Sequence, residues 1–373
     1  MMKTPLQLNK KTLIALTLGI GLMAACKKDS TEELTVKVPE ISGTKGVYML
    51  CEGLMGGNNS AISYYDIATK TTVADYYKQV NKVSLGETAN DLEQYGSKMY
   101  CVVAGIQGTK QSFLDIIDIK TCKSLKRIPF NSATDGYMPR FVAFYKDKAY
   151  VSRYDGKVSR IDTATMAIDG EIMLSEGLEQ LAIANGKLYV CNSSHPYYQN
   201  GGKNKVSVVD LATFTKIKDI TVNNNPVRIQ TADNGDLFVI TWNDYIINNN
   251  PSLDRISSVS DTRIASYNYD LGAITINGSA AYVAKDVYSN PDIKVLNTAS
   301  GVLGASLITD GQLINTIYGL TVNPFSKEVM VADANNYSGS QGFAYCVGTD
   351  GKVKFSFETA GLPQHAVFNY SYK

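Results

Sequence analysis

Few side chains in this sequence have the chemistry of catalysis. The 373 residues include two histidines, His195 and His365, and neither has a spacing from a serine or cysteine that favours a nucleophile with its base. No Cys-x-x-Cys pair occurs, so the cysteine pattern gives no basis for a zinc site. We therefore predict no catalytic residues, no metal site and no cofactor.

Residues suited to binding are concentrated in segments rich in tyrosine, asparagine and glycine. Tyrosine occurs 24 times, and there is one tryptophan. Aromatic rings present rigid surface and amides present adaptable hydrogen bonds, which suits a large ligand with polar edges. The predicted ligand-binding residues are Asn58, Arg140, Tyr154, Tyr197, Tyr198, Arg228, Trp242, Tyr245, Tyr288 and Tyr337. Two alternatives stay open: the sequence variation that is usual in long loops, and a position of Trp242 inside the core.

Two arginines are expected near the centre of the fold, among acidic and amide side chains. A lactonase or hydrolase would use such acidic and amide groups to hold a divalent cation, but the guanidinium groups of Arg140 and Arg228 would repel it. They can instead donate hydrogen bonds to amide or phosphate oxygens of a ligand. The alternative is a structural salt bridge with Asp91 or Glu179. An enzyme is therefore the lesser alternative to a binding protein.

The stretch from Tyr137 to Leu174 shows the structural unit that must position these residues. It contains an apolar strand over 140–144, a second strand over 149–152, a third over 158–162 and a weaker fourth over 166–174. Four short antiparallel strands in about 40 residues cannot bury both faces alone. The unit therefore predicts further copies of itself along the chain.

The other copies are recognised by a second strand of the Tyr-Val type, followed in several of them by an apolar-Asp-x-x-Thr turn. One copy has its second strand at 186–190 and its turn at 210–213. The copy that begins at Gly46 lacks an inner strand, and residues 363–368 resemble one at the other end of the chain. Pairing the two closes a ring without open edges. We predict an all-β fold, a seven-bladed β-propeller closed by its C-terminal strand against the first blade.

The residues before the first blade have the order of an export signal. Two lysines precede an apolar run over 12–23, and small residues lead to a cleavage point at Cys26. We predict a lipoprotein signal peptide over 1–25, a lipidated Cys26 with a flexible tether over 26–45, and the propeller over 46–373. An ordinary secretory signal is the alternative.

Charge and cysteine content exclude some classes of partner. The 36 basic and 35 acidic residues give a net charge of +1 and are interspersed, so no basic stripe predicts binding to nucleic acid. Five cysteines remain besides Cys26, an odd number that argues against a complete disulfide framework. Cys101 and Cys122 fall in one blade, and whether they form a disulfide stays open.

Three features together resemble the YncE-like β-propeller surface lipoproteins of Bacteroidota: the lipobox-like segment before Cys26, the repeated blade and the terminal closure. Within that group the chain looks most like the BtuG type, through residues 51–66 and the ending 363–365. This resemblance implies a protein lipid-anchored in the outer membrane and exposed at the cell surface. It also implies cobalamin (vitamin B12) as the ligand and a BtuB-like TonB-dependent transporter as the partner that receives it.

Cobalamin suits the predicted loops because its corrin is a broad apolar plate edged by amides, with a phosphate in its nucleotide tail. Aromatic faces and asparagines match such a ligand. The same loops would also serve a glycan or a peptide. These remain the alternative ligands.

The lipidation prediction can be tested by changing Cys26 to alanine. We expect Cys26→Ala to move the protein from the membrane fraction to the soluble fraction with an unchanged melting temperature, because acyl chains supply the anchor. Ser30→Ala, in the same tether, should leave the protein with the membranes. Membrane fractionation of Cys26→Ala together with wild type would contradict the prediction.

Overall fold

The structure is a computed structural model that describes residues 40–196, 198, 203–243, 250–287 and 289–373. The residues from Glu40 to Lys373 form one compact unit. The predicted signal peptide, Cys26 and most of the predicted tether lie outside the described residues. Within the described residues, no helix has the length and apolar character needed to cross a membrane.

Seven sheets of four antiparallel strands form the fold, which confirms the predicted all-β, seven-bladed propeller. The first blade contains β1 (Ile41–Cys51), β2 (Ala61–Asp66), β3 (Thr71–Val73) and, as its innermost strand, β28 (Pro363–Tyr372). A short helix, α1 (Tyr76–Asn81), leads to the second blade.

The other six blades follow in chain order, each beginning with its innermost strand. Blades two to four contain β4 (Ala89–Tyr95), β5 (Lys98–Val103), β6 (Phe113–Asp118) and β7 (Ser124–Pro129); β8 (Pro139–Tyr145), β9 (Lys148–Arg153), β10 (Lys157–Asp162) and β11 (Ala167–Met173); β12 (Leu178–Ala184), β13 (Lys187–Asn192), β14 (Lys205–Asp210) and β15 (Thr215–Thr221). Blades five to seven contain β16 (Pro226–Thr231), β17 (Asp236–Thr241), β18 (Ser252–Ser257) and β19 (Thr262–Tyr267); β20 (Leu271–Asn277), β21 (Ala280–Lys285), β22 (Asp292–Leu296) and β23 (Leu303–Ser306); β24 (Ile317–Val322), β25 (Val329–Asp333), β26 (Gly342–Val347) and β27 (Val353–Thr359).

The Asp-x-x-Thr turns join the third strand of a blade to its fourth. In the third blade, Asp162 Oδ1 accepts hydrogen bonds from the backbone N–H of Thr165 at 2.7 Å and from its hydroxyl at 3.0 Å. The next residue, Met166, has a φ of 53°, a left-handed conformation that costs energy for a side chain with a Cβ. The aspartate side chain holds the turn in that shape. The same contacts recur at Asp66, Asp118 and Asp210.

The ring is closed by the two ends of the propeller, as the sequence predicts. Strand β28 pairs with β1 in an antiparallel ladder that runs from Ile41 opposite Tyr372 to Cys51 opposite Pro363. Strand β1 thus begins within the residues assigned to the tether, because the long β28 offers it partners as far as Tyr372. On its other side, β28 approaches the seventh blade so closely that a Cβ on Gly319 would overlap the carbonyl of Gln364.

Neighbouring blades contact each other through apolar layers. The tyrosine of the repeated second strand lies in these layers: Tyr100, Tyr150 and Tyr189 are buried, and Tyr282 is partly buried. Tyr189, for example, packs with Ile229 and Val239 of the next blade. The tyrosine of the repeated second strand therefore packs between neighbouring blades.

Side chains of the innermost strands also join neighbouring blades. Asp91 Oδ2 accepts a hydrogen bond from the backbone N–H of Val142 at 2.9 Å, and Gln180 Oε1 accepts one from Ile229 at 2.9 Å. The hydroxyls of Thr275 and Thr321 accept comparable bonds from Val322 and Ala366, both at 3.1 Å, and Gln364 Nε2 donates to Ala89 at 2.8 Å. These bonds cross from one blade to the next where no backbone ladder runs between them.

The cysteines of the propeller are free thiols. Cys101 and Cys122 are both buried in the apolar layer between the first two blades and form no disulfide. Burial is the largest cause that raises the pKa of Cys122, to about 12, so the thiol stays protonated at neutral pH. These residues act as small apolar side chains.

The closure can be tested by truncation. We expect deletion of residues 363–373 to abolish the cooperative thermal unfolding transition, because it removes the inner strand of the first blade with buried Ala366, Val367 and Phe368. Deletion of residues 371–373 alone should keep a single transition, since it removes only the outer end of the ladder. Circular dichroism during heating measures both. A soluble 363–373 deletion that still melts cooperatively would contradict this account.

Candidate functional site

The loops that carry most of the predicted binding residues meet at one face of the ring. In each blade the second strand ends where the innermost strand begins, as the pairing of Arg153 with Pro139 and of Thr241 with Pro226 shows. We call the face at which the innermost strands begin the top face, and the opposite face the bottom face. The loops after the second strands therefore surround the centre of the top face.

Arg140, the second residue of β8, occupies the centre of the top face in a network of polar contacts. Its Nε lies 3.2 Å from Glu179 Oε2, and its Nη2 lies 3.3 Å from the other carboxylate oxygen. It also donates to Asn90 Oδ1. The Tyr154 hydroxyl donates to Glu179, and the Arg140 guanidinium lies 4.6 Å from the centre of the Tyr154 ring. The expected alternative of a structural salt bridge is thus observed for Arg140 with Glu179.

Tyr154 supports two more rings of the top face. The imidazole of His195 lies 4.2 Å from its ring, and Tyr198 lies 5.8 Å away, with the centroids of His195 and Tyr198 5.5 Å apart. Burial, and then the nearby charge of Arg140, lower the pKa of His195 to about 4, so its imidazole is neutral at neutral pH. Tyr154 itself is only 6% exposed, so a ligand would contact it mainly through its neighbours.

Arg228 lies beside this network and has a different environment. Its guanidinium stands 4.9 Å from the ring of Phe141 and 5.1 Å from the ring of Trp242. Nη1 donates to the Val227 carbonyl at 3.2 Å. No carboxylate among the described residues lies within salt-bridge distance of Arg228. A half-buried guanidinium between two aromatic faces, without a carboxylate, is suited to receive an oxygen of a ligand.

Trp242 lies at the surface rather than in the core. Its side chain is 36% exposed, and its indole Nε1 donates to the Leu271 carbonyl at 3.0 Å. That hydrogen bond fixes the ring over Arg228 while leaving part of its face open. The alternative that Trp242 packs inside the core is therefore wrong.

Glu52 and Tyr318 complete the centre of the top face. The Tyr318 hydroxyl donates to the Glu52 carboxylate, and the exposed Tyr337 meets the Tyr318 ring edge-on at 5.7 Å. Burial is the largest cause that raises the pKa of Glu52, while Tyr318, Arg140 and Arg228 act in the opposite direction. Sequence reasoning did not select Glu52 or Tyr318, which are 266 residues apart and meet only because the ring closes.

Asn58 lies in a loop whose backbone is fixed by hydrogen bonds. The Glu87 carboxylate accepts hydrogen bonds from the backbone N–H groups of Gly56 at 2.7 Å and of Asn58 at 2.6 Å. In the same loop, Asn59 Nδ2 donates to the Gly339 carbonyl at 3.1 Å, which links the loop to the seventh blade. The loop is therefore fixed by its backbone.

The structure thus brings Arg140, Tyr154, Tyr198, Arg228 and Trp242 together at the centre of the top face, with Tyr337 beside Tyr318. Tyr197, Tyr245 and Tyr288 lie outside the described residues. Ligand binding by these side chains stays a prediction. The arrangement combines fixed aromatic faces, one guanidinium without a carboxylate partner and a second that is neutralised.

These features define the protein as a seven-bladed β-propeller with a polar and aromatic centre on its top face. The family described as Domain of unknown function (DUF5074) matches residues 45–347, and the chain belongs to this family. No curated protein matches the sequence.

Several solved structures are similar in fold. A provisionally assigned 6-phosphogluconolactonase from Bacteroides uniformis is 13% identical, with a TM-score of 0.63 over 87% of this chain and 100% of its own. A hypothetical selenium-binding protein from Sulfolobus tokodaii is 13% identical, with a TM-score of 0.64 over 89% of this chain and 94% of its own. Hydrazine synthase from Kuenenia stuttgartiensis is 17% identical, with a TM-score of 0.53 over 68% of this chain and 74% of its own. At such identities these likenesses concern the fold alone.

The Arg140–Glu179 pair can be tested through stability. Glu179→Gln should lower the free energy of unfolding by about 3 kcal/mol, because it leaves the mostly buried Arg140 guanidinium without its counter-charge. Arg140→Met combined with Glu179→Gln should recover much of that loss. Urea unfolding measures both variants. Asp169→Asn, whose more exposed carboxylate pairs with Arg160 and Lys148, is the control and should cost less than about 1 kcal/mol. Equal losses of unfolding free energy in Glu179→Gln and Asp169→Asn would contradict the stabilising role of the Arg140–Glu179 pair.

Proposed function

We propose that this protein binds a small ligand at the centre of its top face and that the ligand is cobalamin. The observation that carries the proposal is the environment of Arg228, whose guanidinium lies between Phe141 and Trp242 without a carboxylate partner among the described residues. A cation held beside exposed aromatic surface favours a ligand that combines an apolar plate with phosphate or amide oxygens. Cobalamin has that combination.

The side chains of the top face are already fixed by hydrogen bonds, which supports binding without a change of conformation. Tyr154, Glu179 and Arg140 are already joined by hydrogen bonds, and the indole of Trp242 is fixed by the Leu271 carbonyl. Side chains that are already ordered lose little conformational entropy when a ligand arrives. The neutral Arg140–Glu179 pair leaves Arg228 as the cation available to an anionic group of the ligand.

The proposal extends to delivery. A lipid anchor at Cys26, predicted from the sequence, would hold the protein at the outer membrane, and the family resemblance implies a BtuB-like TonB-dependent transporter as the partner that receives the ligand. Capture on the top face and transfer to such a transporter need no catalytic residue or cofactor. The protein would act as a surface-exposed carrier of its ligand.

Calorimetry tests the proposed ligand directly. Titration of cyanocobalamin into the full chain should give one site per chain. Arg228→Gln should weaken that site roughly 10- to 100-fold, because a hydrogen bond to a charged group contributes about 1.5–3 kcal/mol. Trp242→Ala should weaken it about tenfold through lost ring contact. Arg160→Gln is the matched control, since Arg160 also lies on an aromatic ring, Phe214 at 4.8 Å, but on β10, the third strand of its blade, rather than on an innermost strand.

Two results would contradict the proposal. Absence of heat and of a thermal shift with wild type would exclude cobalamin and favour a glycan or a peptide as the ligand. Equal affinity in wild type, Arg228→Gln and Trp242→Ala would place the cobalamin site elsewhere on the protein. Hydrolysis of a sugar lactone by wild type would instead support the enzyme alternative.

A further inference from the structure

The innermost strands enclose a cavity of about 710 Å³ below the centre of the top face. Towards the bottom face it is lined by aromatic and apolar side chains, among them Tyr95, Phe325 and Tyr372. Deeper in the ring its lining becomes polar and includes Glu93 and His365. The proposed ligand site makes no use of these two residues.

Glu93 and His365 at the polar end of the cavity, together with the buried Asp91 beside them, have the types and spacing of metal ligands. Asp91 and Glu93 lie two residues apart on β4, so they leave the strand on the same side, and His365 projects from β28 of the neighbouring blade. One ligand atom from each lies within 4.8 Å of the other two. A single ion at their centre could therefore be reached by two carboxylates and one imidazole.

The hydrogen bonds of these three groups leave capacity for an ion. Asp91 uses its oxygens for the backbone N–H groups of Val142 and Leu92, and Asp91 Oδ1 lies 3.4 Å from His365 Nδ1. By contrast, no hydrogen bond or ion pair from any described residue reaches the Glu93 carboxylate. A partly buried carboxylate without a partner loses its hydration without replacement, and a bound cation would supply it.

The charges around the cavity favour a cation as well. Asp91 and Glu93 together bring two carboxylates to the proposed site, whereas Arg228 is the one guanidinium among the described residues that line the cavity, and it forms a salt bridge with neither of them. Arg140 does not add to the positive charge, because Glu179 neutralises it. The cavity also provides a path from solvent to Glu93 and His365.

We propose that Asp91, Glu93 and His365 bind one divalent transition-metal ion, of the Zn²⁺ or Mn²⁺ class, inside the ring. Two carboxylates with one imidazole suit these ions better than Ca²⁺ or Mg²⁺, which prefer oxygen ligands alone. The ion would link β28, the C-terminal strand that closes the ring, to β4 of the second blade. The ion would therefore stabilise the closed ring. This proposal does not depend on the identity of the ligand at the top face.

Metal titration of the full chain tests this site. After treatment with a chelator, wild type should bind one Zn²⁺ or Mn²⁺ per chain and melt at a higher temperature with the ion than without it. Glu93→Gln and His365→Asn should each weaken binding at least about tenfold, since even residues that only support metal ligands cost that much when changed. Glu358→Gln, an exposed carboxylate on β27, is the control and should bind as wild type does.

Cobalt provides a readout that does not depend on the stability of the variants. The chain has two histidines, so bound Co²⁺ should shift the NMR signals of one imidazole strongly, and His195→Gln identifies that imidazole as His365. Failure of wild type to bind any of Zn²⁺, Mn²⁺ and Co²⁺ would overturn the proposal. Unchanged affinity in both Glu93→Gln and His365→Asn, or a shifted His195 signal, would overturn it equally.

Discussion

The closing of a ring of blades is the constraint on which the rest of this structure depends. No four-stranded sheet of this size buries both of its faces alone, so each blade needs a neighbour on either side. The first and seventh blades acquire theirs only when β28, from the end of the chain, pairs with β1. Hydrogen bonds such as those of Asp91 to Val142 and of Thr321 to Ala366 then join successive innermost strands.

The same constraint places the chemistry of the protein. Because the innermost strands all begin at the top face, the second residue of each is brought towards one centre. Asn90, Arg140, Glu179 and Tyr318 hold this position in their strands, and they form the polar network of the top face together with loop residues. A side chain there is surrounded by partners from several blades, so its environment depends on residues far away in the sequence.

Charge compensation distinguishes the two central arginines. Arg140 has Glu179, Asn90 and the Tyr154 ring around it and serves the structure. Arg228 has two aromatic rings and the Val227 carbonyl beside it, and no carboxylate among the described residues forms a salt bridge with it. The sequence suggested both roles for both residues, since the two arginines occupy similar positions in similar strands. Arg140 is the second residue of β8 and Arg228 the third of β16, and the partners of each come from other strands and loops, which the amino-acid pattern of one strand does not contain.

The sequence by itself determined the repeated blade, the Asp-x-x-Thr turns and the strand that closes the ring. These features depend on contacts between residues a few positions apart, or on the alternation along one strand, which a pattern in the chain records directly. The tertiary structure alone decided that Tyr154 is buried, that Glu52 meets Tyr318, and that Asp91 and Glu93 face His365. Those contacts join strands from different blades. They arise from the radial arrangement of seven sheets, which no local sequence pattern encodes.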